Sequence, residues 1–444
     1  MEMRTGNLWK KIFIYSLPLM LTHLLELFFN IADVAIAGKF AGPISLGAVG
    51  STSMLITLTT GWLIGISNGV NAQVAFYIGG NEYDKEKRAV TTGLILCVAM
   101  GFFTTVLSIA LASPVLNLMG TKPELMAEAL TYFKIYMLGA PALAIFNFGN
   151  AVLTADGETK KPLKYLTIAG IVNVILNLFF IRVMNMTSDG VAIASIISHY
   201  ISAGMIMAEV LTTQKSYKLS MKWDLYDNGI AWKIISIGIP AAVQYSLFST
   251  ANLFVQSAVN TFDHVTVEGN SAAMNFDSVV YTMMTAFYAA CTSFIAQNYG
   301  AKKNDRIAKT YYITTLYSFL MALIMGVAIY IFRFDLLYIF TSDPEVVKFG
   351  AIRLGILSLT YCISAFMDNA TAACRGLGKT FIPTIIILMG SIVFRIVWIY
   401  TVFAYYQTLQ SLYLLYCFAF TITSIFGNIY FFYLNKKVMR GEML

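Results

Sequence analysis

The sequence predicts an all-α integral membrane protein with twelve transmembrane helices, and three observations support this fold class. Only 12% of the 444 residues are charged and 58% are hydrophobic, whereas soluble domains carry about 25% charged residues. The mean hydropathy of the chain is +0.70. Apolar runs also recur along the whole chain, and each is long enough to cross a bilayer, which takes about 20 residues.

The apolar runs are separated by short polar intervals, and the longest of these lies in the middle of the chain. The runs cover residues 12–37, 45–78, 89–112, 127–155, 163–184, 190–213, 232–262, 270–298, 307–333, 346–374, 381–405 and 411–435. The central polar interval contains QKSYKLSMKWDLYDNG. We therefore predict an N-terminal six-helix bundle in residues 1–213, a linker in 214–231 and a C-terminal six-helix bundle in 232–444.

The two halves are related by an internal duplication. Turn residues and helix breakers recur at a constant offset of 221 residues, and the first proline of each apolar half recurs at 222. The matching pairs are Gly79 and Gly300, Asp84 and Asp305, Pro123 and Pro344, Gly157 and Gly378, Thr159 and Thr380, Pro162 and Pro383, and Pro18 and Pro240. Because each half has an even number of helices, both run the same way through the membrane, which predicts parallel repeats.

Basic residues in the loops predict the orientation in the membrane. On the side of the N-terminus, the linker and the C-terminus there are 22 Lys and Arg residues, against five on the other side. By the positive-inside rule, we expect a multi-pass protein of the cytoplasmic (inner) membrane with both termini in the cytoplasm. The first apolar run is too long for a cleavable signal peptide, and no small-residue cleavage site follows it.

Residue content disfavours several classes of function. The net charge of +7 comes from basic residues scattered through short loops, so we expect no nucleic-acid partner. Three histidines and five cysteines without CxxC spacing indicate neither a metal enzyme nor a disulfide framework. No nucleophile–base pair appears in the apolar runs, and RGLGKT at 375–380 lacks the first glycine of a phosphate-binding loop. We therefore predict a protein that is not an enzyme and needs no cofactor.

The first apolar run contains a polar stripe, which is the strongest functional signal in the chain. His23, Glu26, Asn30 and Asp33 lie at offsets that place all four within an arc of roughly 80° on a helix. An ionisable group at membrane depth costs at least about 2.5–3.5 kcal/mol and normally faces a bundle interior or a water-filled cavity. We interpret the stripe as the lining of an ion or substrate path, with interhelical packing as the alternative.

Oxygen-bearing side chains in the fifth and sixth apolar runs would complete such a site. Asn173 and Asn177 are four residues apart and share one helix face, as do Ser195 and His199 on the next helix. Amide carbonyl oxygens are ligands that hard cations prefer. Together with the carboxylate of Asp33 they predict an oxygen-lined site, although the asparagines alone could serve as hydrogen-bonding groups between helices.

The second half carries different polar groups, since aromatic residues stand 221 positions after the asparagine pair. It has two acids of its own at membrane depth, Asp277 in MNFDSVVYT and Asp368 in ISAFMDNATAACRG. We predict that these acids form a secondary acidic site that attracts a cationic substrate. Arg395 in the eleventh run is the expected counter-charge for one of them, and such a pair could be purely structural.

At this point the chain resembles the multidrug and toxic compound extrusion (MATE) family over essentially its whole length. The resemblance rests on Pro18, Asn30 and Asp33 followed by GKFAG, on AQNYGAKKNDR after the eighth helix and its counterpart IGGNEYDKEKR after the second, and on RGLGKTFIP before the eleventh. It implies two six-helix bundles facing a central cleft. It also implies export of organic cations and other amphiphiles driven by Na⁺ or H⁺ gradients.

The resemblance also implies a coupling-cation site. Carried over by position, Asp33, Asn173 and Asn177 match the first-bundle cation site, where Na⁺ could bind, and Ser195 stands where many members have threonine. Glu26 stands where members often have glutamine, so we expect it to add a charge or a proton to this site.

A second departure from the family lies in the seventh helix. Many members place a glutamate eight or nine residues after its proline, where this chain has Phe248 and Ser249. A second-bundle site built on that glutamate is therefore disfavoured, and Asp277 and Asp368 would take its place.

The sequence thus predicts a secondary active antiporter that exports amphipathic or cationic organic compounds, such as drugs and toxins, in exchange for inward H⁺ or Na⁺. The expected partners are a small amphipathic organic substrate and membrane lipid, and we expect a monomer. The alternative is a flippase or exporter of lipid-linked or polysaccharide precursors, which shares this general architecture. Abundant cationic residues in the cleft would favour that alternative.

Overall fold

The computed structural model describes residues 1–220 and 223–442, and these residues form helices but no β-strand. In the N-terminal half the helices are α1 Leu8–Ile36, α2 Pro43–Gly80, α3 Tyr83–Leu118, α4 Pro123–Met137, α5 Ala140–Ala155, α6 Lys160–Arg182 and α7 Ser188–Thr212. In the C-terminal half they are α8 Asn228–Val259, α9 His264–Gly300, α10 Asn304–Leu337, α11 Pro344–Gly376, α12 Phe381–Ile387, α13 Phe394–Trp398, α14 Ala404–Tyr406 and α15 Leu409–Met439.

The number of membrane spans agrees with the prediction. In the described residues, 11 helical segments are long and apolar enough to cross a membrane, and the bent pair of α4 and α5 makes a twelfth if it is counted as one span. The predicted all-α membrane architecture is confirmed.

The predicted helix 127–155 is bent rather than straight. It consists of α4 and α5, whose axes differ by 44°. The break falls at Leu138 and Gly139, and Pro141 follows in the first turn of α5. Proline is tolerated there because the first backbone N–H groups of a helix have no intrahelical acceptor. Apolar residues continue on both sides of the break, so the apolar run by itself does not indicate the bend.

The predicted helix 381–405 forms one span but not one regular α-helix. The three short helices α12, α13 and α14 alternate with π-helical turns at Leu388–Val393 and Ile399–Phe403. Turns of this kind are rare and frequently occur at functional sites. Arg395 lies in α13, between the two π-helical turns.

The chain divides into two compact units, and their boundaries differ from the predicted ones. Unit 1 comprises Met1–Glu2 and Leu21–Tyr245, and unit 2 comprises Met3–Met20 and Ser246–Leu444. The first part of α1 thus packs with the C-terminal helices, and the first part of α8 packs with the N-terminal helices. In both helices the change comes shortly after the matching prolines, Pro18 and Pro240. Equivalent parts of the two repeats are therefore exchanged, which the polar linker does not reveal.

Two glycines explain how the first part of α8 packs within unit 1. A Cβ atom on Gly65 of α2 would lie 2.5 Å from the Cα atom of Ala242. A Cβ atom on Gly69 would lie 2.3 Å from the carbonyl oxygen of Ile234. The backbones of α2 and α8 therefore approach so closely that only glycine fits at these two positions.

The predicted linker is itself part of unit 1, and its described part bonds to other residues of that unit. Ser216 Oγ donates a hydrogen bond to Glu86 Oε1 at 2.8 Å, and Lys215 Nζ pairs with Asp156 Oδ2 at 2.6 Å. Residues 221–222, which include one lysine counted in the loop charge, lie outside the described residues. The last residues of the predicted linker already belong to α8.

Candidate functional site

α1 carries the predicted polar stripe, but within the described part of the chain only one of its four residues bonds to other helices. His23 Nδ1 lies 3.2 Å from Glu26 Oε2, and Asn30 Nδ2 donates to the carbonyl oxygen of Glu26 at 2.9 Å. These three residues therefore bond to one another within α1. Asp33, about one turn further along, bonds to side chains of α6 and α7. The stripe thus has three residues that bond within α1 and one, Asp33, that bonds to other helices.

Three helices of unit 1 bring four of the five predicted coupling-site residues together. Asn177 Nδ2 donates to Asp33 Oδ1 at 2.6 Å, and Ser195 Oγ donates to Asp33 Oδ2 at 3.2 Å. Asn177 also donates to Oδ1 of Asn173 at 3.2 Å, and Asn173 Nδ2 donates to Ser195 Oγ at 3.4 Å. We refer to these four residues as the Asp33 cluster. Glu26, the fifth predicted residue, makes none of these hydrogen bonds.

Local helix geometry explains the positions of the neutral residues in the Asp33 cluster. Asn173 and Asn177 lie one turn apart on α6, so their amides project from the same face and reach each other. Ser195 Oγ also lies 3.0 Å from the carbonyl oxygen of Val191, one turn earlier on α7. Such a bond to the preceding turn holds a serine hydroxyl close to its own helix. Contacts within α6 and within α7 therefore orient these side chains, and these contacts do not involve α1.

The Asp33 cluster is buried on the side of α6 and α7. The exposed fractions are 5% for Asn173, 0% for Asn177 and 3% for Ser195. The Oδ1 atom of Asn177 is buried and accepts no hydrogen bond from the described residues. An unsatisfied buried carbonyl is costly, and a bound cation would relieve that cost. The cluster therefore offers a carboxylate, amide oxygens and a hydroxyl to a cation or a proton.

Two tyrosines of α4 lie beside the cluster and were not predicted from the sequence. Tyr136 Oη is 3.3 Å from His199 Nε2, and the two rings meet edge to face. Tyr132 is 3% exposed and packs in a buried group with Ile36 of α1 and Val191 of α7. The four-residue spacing of the tyrosines was a signal that they share a helix face. Nothing in the sequence relates that face to α1.

In unit 2, Asp277 of α9 has a buried partner of opposite charge. Arg353 of α11 donates to Asp277 Oδ2 from Nε at 2.8 Å, and its Nη2 lies 2.7 Å from the same oxygen. Arg353 Nη1 and Tyr413 Oη both donate to Asn270 Oδ1, at 2.8 and 3.0 Å. The expectation that Arg395 would be the counter-charge is wrong for Asp277. Arg353 lies in the tenth apolar run, and its basic side chain at membrane depth was a signal for a buried ion pair.

Asp368 of α11 has a different environment from Asp277. Its side chain is 6% exposed, and it forms no hydrogen bond or ion pair with the described residues. The charge that acts on it belongs to Arg375, two turns further along the same helix. The two second-half acids are therefore not joined in one hydrogen-bonded site. One is neutralised by an arginine, and the other has no direct partner.

Similarity to known proteins extends over most of the chain. A family model described as MatE matches residues 18–179 and 240–401, once in each repeat. The "Probable multidrug resistance protein YpnP" of Bacillus subtilis is 25% identical over 360 residues, which is 80% of each chain. A "FAD transporter" of Shewanella oneidensis is 23% identical over 78% of this chain and 77% of its own. A solved MOP superfamily transporter from Pyrococcus furiosus has the same fold, with a TM-score of 0.92 at 20% identity over 98% of both chains.

Proposed function

Because the chain belongs to the MatE family of membrane transporters, we propose that it is a secondary active antiporter that exports amphipathic or cationic organic compounds in exchange for inward H⁺ or Na⁺. Family membership confirms the resemblance drawn from the sequence and the expectation of a transporter rather than an enzyme. The relative named as a multidrug resistance protein supports drug-like compounds as the substrate class.

The observation that carries the proposal is the Asp33 cluster. One carboxylate receives hydrogen bonds from neutral side chains on two other helices. Binding of a cation or a proton there would neutralise a charge that is costly at membrane depth. The loaded and empty states therefore differ in electrostatic free energy. A difference of this kind is what allows ion binding to bias a conformational equilibrium and so to couple ion entry to substrate export.

Both candidate coupling ions suit the residues present. A proton would be held by the Asp33 carboxylate itself. Na⁺ would be held by the oxygens of Asp33, Asn173 and Asn177, with Ser195 as a further oxygen. The free Oδ1 of Asn177 supports this second assignment because it is buried and lacks a hydrogen-bond donor. H⁺ and Na⁺ are therefore alternative coupling ions, and imposing a pH gradient and a Na⁺ gradient separately distinguishes them.

The flippase alternative calls for several unpaired cations, since lipid-linked precursors carry phosphate groups. Three arginines are buried in the described residues, namely Arg353, Arg375 and Arg395. The charge of Arg353 is already matched by Asp277. Arg375 also has interaction partners, which leaves Arg395 as one available cation rather than several and favours export of small amphiphiles over the flippase alternative.

We also propose that the protein is a monomer in the cytoplasmic membrane with both termini in the cytoplasm. A groove of about 380 Å³ in unit 2 supports lipid as a partner. Its lining includes Trp9, Arg306, Lys309 and Tyr312. Aromatic and basic side chains of this kind are typical of the cytoplasmic membrane interface, where lipid headgroups lie.

Reconstitution into liposomes tests the proposed function. A pH gradient and a Na⁺ gradient are imposed separately, and export of an organic cation is measured for the wild-type protein and for Asp33→Asn. We expect one gradient to drive export and Asp33→Asn to abolish it. The variant should still fold, because an amide has the size of a carboxylate and its Oδ1 can accept from Asn177.

The matched control is Asp84→Asn, which changes an exposed acid in the first turn of α3. It should transport like the wild-type protein. Export at the wild-type rate by Asp33→Asn would remove Asp33 from the mechanism. Absence of export under both gradients would contradict antiport itself.

A further inference from the structure

Arg395 and Arg353 both face the ring of Tyr416, but Arg395 has no carboxylate partner among the described residues. Its side chain is 2% exposed, and it forms no ion pair with any described residue. Nη1 donates to Asn252 Oδ1 at 3.0 Å, while Nε is buried without an acceptor. Arg353, by contrast, bonds to Asp277 and Asn270. Of these two guanidinium groups, only that of Arg353 bonds to a carboxylate among the described residues.

Aromatic rings compensate only part of this excess charge. The Arg395 guanidinium lies 4.5 Å from the ring centre of Tyr416 and 5.8 Å from that of Phe420. The Tyr416 ring also faces Arg353, at 5.8 Å. One ring is thus shared by two cations, and cation–π attraction is weaker than a charged hydrogen bond to an oxyanion. A guanidinium at membrane depth without a counter-charge indicates a functional role.

Arg395 is buried, but its hydrogen-bond acceptor is accessible. Asn252, which accepts from Nη1, is an exposed residue of α8, so the guanidinium is bonded to an accessible polar side chain. The π-helical turns Leu388–Val393 and Ile399–Phe403 flank the short helix that carries Arg395. Irregular backbone within a membrane span is frequent at binding sites.

We propose that Arg395 and Asn252 bind the acidic group of an amphipathic substrate, either a carboxylate or a phosphate. The guanidinium presents a planar set of donors that matches two oxygens of such a group, and the Asn252 amide can add a donor. Tyr416 and Phe420 would contact the apolar part of the compound. The inference rests on the proposed export function and adds acidic and zwitterionic amphiphiles to the cationic class.

Binding of matched naphthalene compounds tests this inference. The probes are 1-naphthylacetate, 1-naphthyl phosphate and the neutral 1-naphthylacetamide, titrated calorimetrically into the protein in nanodiscs. We expect at least one acid to bind the wild-type protein about tenfold more tightly than the amide, since a charged hydrogen bond of this type is worth about a factor of ten or more. Arg395→Gln should remove that preference and leave binding of the amide unchanged.

A second variant provides an independent test in case Arg395→Gln does not fold. Asn252→Asp places a carboxylate against the guanidinium, so it should keep or raise the thermal unfolding midpoint and still abolish the preference for acids. Arg440→Gln, an exposed change near the C-terminus, is the control and should bind all probes like the wild-type protein. Equal wild-type affinity for the acids and the amide, or a preference for acids that persists in both site variants, would overturn the inference.

Failure of the inference is distinguishable from failure of the proposed function. Gradient-driven export of a cationic amphiphile without any preference for acids would refute only the role of Arg395. Preference for acids in the binding experiment, combined with no export under either gradient, would support the Arg395 site and refute antiport.

Discussion

Glu26 and Asp33 lie on the same helix, about 10 Å apart along its axis, but they have different neighbours. Glu26 pairs with His23 within α1 and its side chain is 45% exposed. Asp33 bonds to Asn177 and Ser195 on two other helices. Any effect of Glu26 on the Asp33 cluster therefore acts through its charge and not through contact. If Glu26 modulates coupling, the effect should therefore be seen in the pH dependence of transport.

Glu26→Gln should shift the pH profile of transport without abolishing it. Two like charges about 10 Å apart repel by roughly 1.6 kcal/mol at an effective dielectric constant of about 20, which corresponds to about one pH unit, and exposure of Glu26 reduces this value. Without that charge the Asp33 cluster attracts a coupling cation less strongly, so the profile should shift toward acid pH by up to about one unit. Initial export rates across pH measure the shift.

The exposed Glu124 of α4 offers a control, because Glu124→Gln removes an acid from the first turn of that helix. It should leave the profile unchanged. If Glu26→Gln also leaves it unchanged, Glu26 has no part in coupling.

Asp368 is the second-half acid that remains available to a cationic group. It is buried and has no direct partner among the described residues, so a cationic compound would relieve the cost of its charge. Asp368→Asn should weaken binding of cationic compounds by about tenfold and affect neutral ones less, with ion coupling preserved. Binding of a cation and a neutral isostere to the variant measures the difference.

Glu345→Gln on the same helix changes an exposed acid and provides the comparison. Equal losses for cationic and neutral compounds would contradict a substrate role for Asp368. Loss of ion coupling would instead place Asp368 in the coupling mechanism.

At the scale of helix pairs, the Asp277–Arg353 ion pair is the clearest polar contact between two helices. It joins α9 to α11 inside unit 2, and both side chains are buried. The same guanidinium also bonds to Asn270, about two turns before Asp277 on α9. This arrangement assigns Asp277 a structural role in addition to the predicted substrate role.

Asp277→Asn should destabilise the protein, because it leaves the Arg353 charge buried without compensation. Removing one partner of a buried ion pair costs about 3–5 kcal/mol, whereas replacing both by apolar groups is often nearly neutral. The thermal unfolding midpoint should therefore fall for Asp277→Asn and recover in part when Arg353→Met is added. A midpoint equal to that of the wild-type protein for the single variant would show that the ion pair contributes little.

The predicted orientation of the protein in the membrane can be tested by labelling introduced cysteines. The excess of Lys and Arg on one side places the linker in the cytoplasm. In a variant without reactive natural cysteines, Lys218→Cys in the linker should resist a membrane-impermeant maleimide added to intact cells. Lys122→Cys, in the loop before α4, should react. Both residues are exposed in the structure. The opposite labelling pattern would reverse the orientation.

The internal duplication is also visible in how the whole chain divides into two compact units. The two family matches begin at residues 18 and 240, the positions of the first proline in each repeat. Shortly after those prolines, α1 and α8 each pass from one compact unit to the other. The sequence repeat predicted two halves, and the exchange of half-helices is symmetric between them.

The sequence by itself determined the fold class, the number of spans, the duplication and the rare polar residues at membrane depth. It could do so because crossing a bilayer requires long apolar runs, and any ionisable residue within them is conspicuous. The family resemblance then named Asp33, Asn173, Asn177 and Ser195 as one site, and the structure brings these four together.

Only the tertiary structure decided which polar groups meet. It joined Asp277 to Arg353 and not to Arg395, left Glu26 outside the Asp33 cluster and divided α1 and α8 between two units. Helical spacing shows which side chains share a face of one helix. It does not record how each helix is rotated or which distant helix it packs against, because those depend on the simultaneous packing of all helices in a unit.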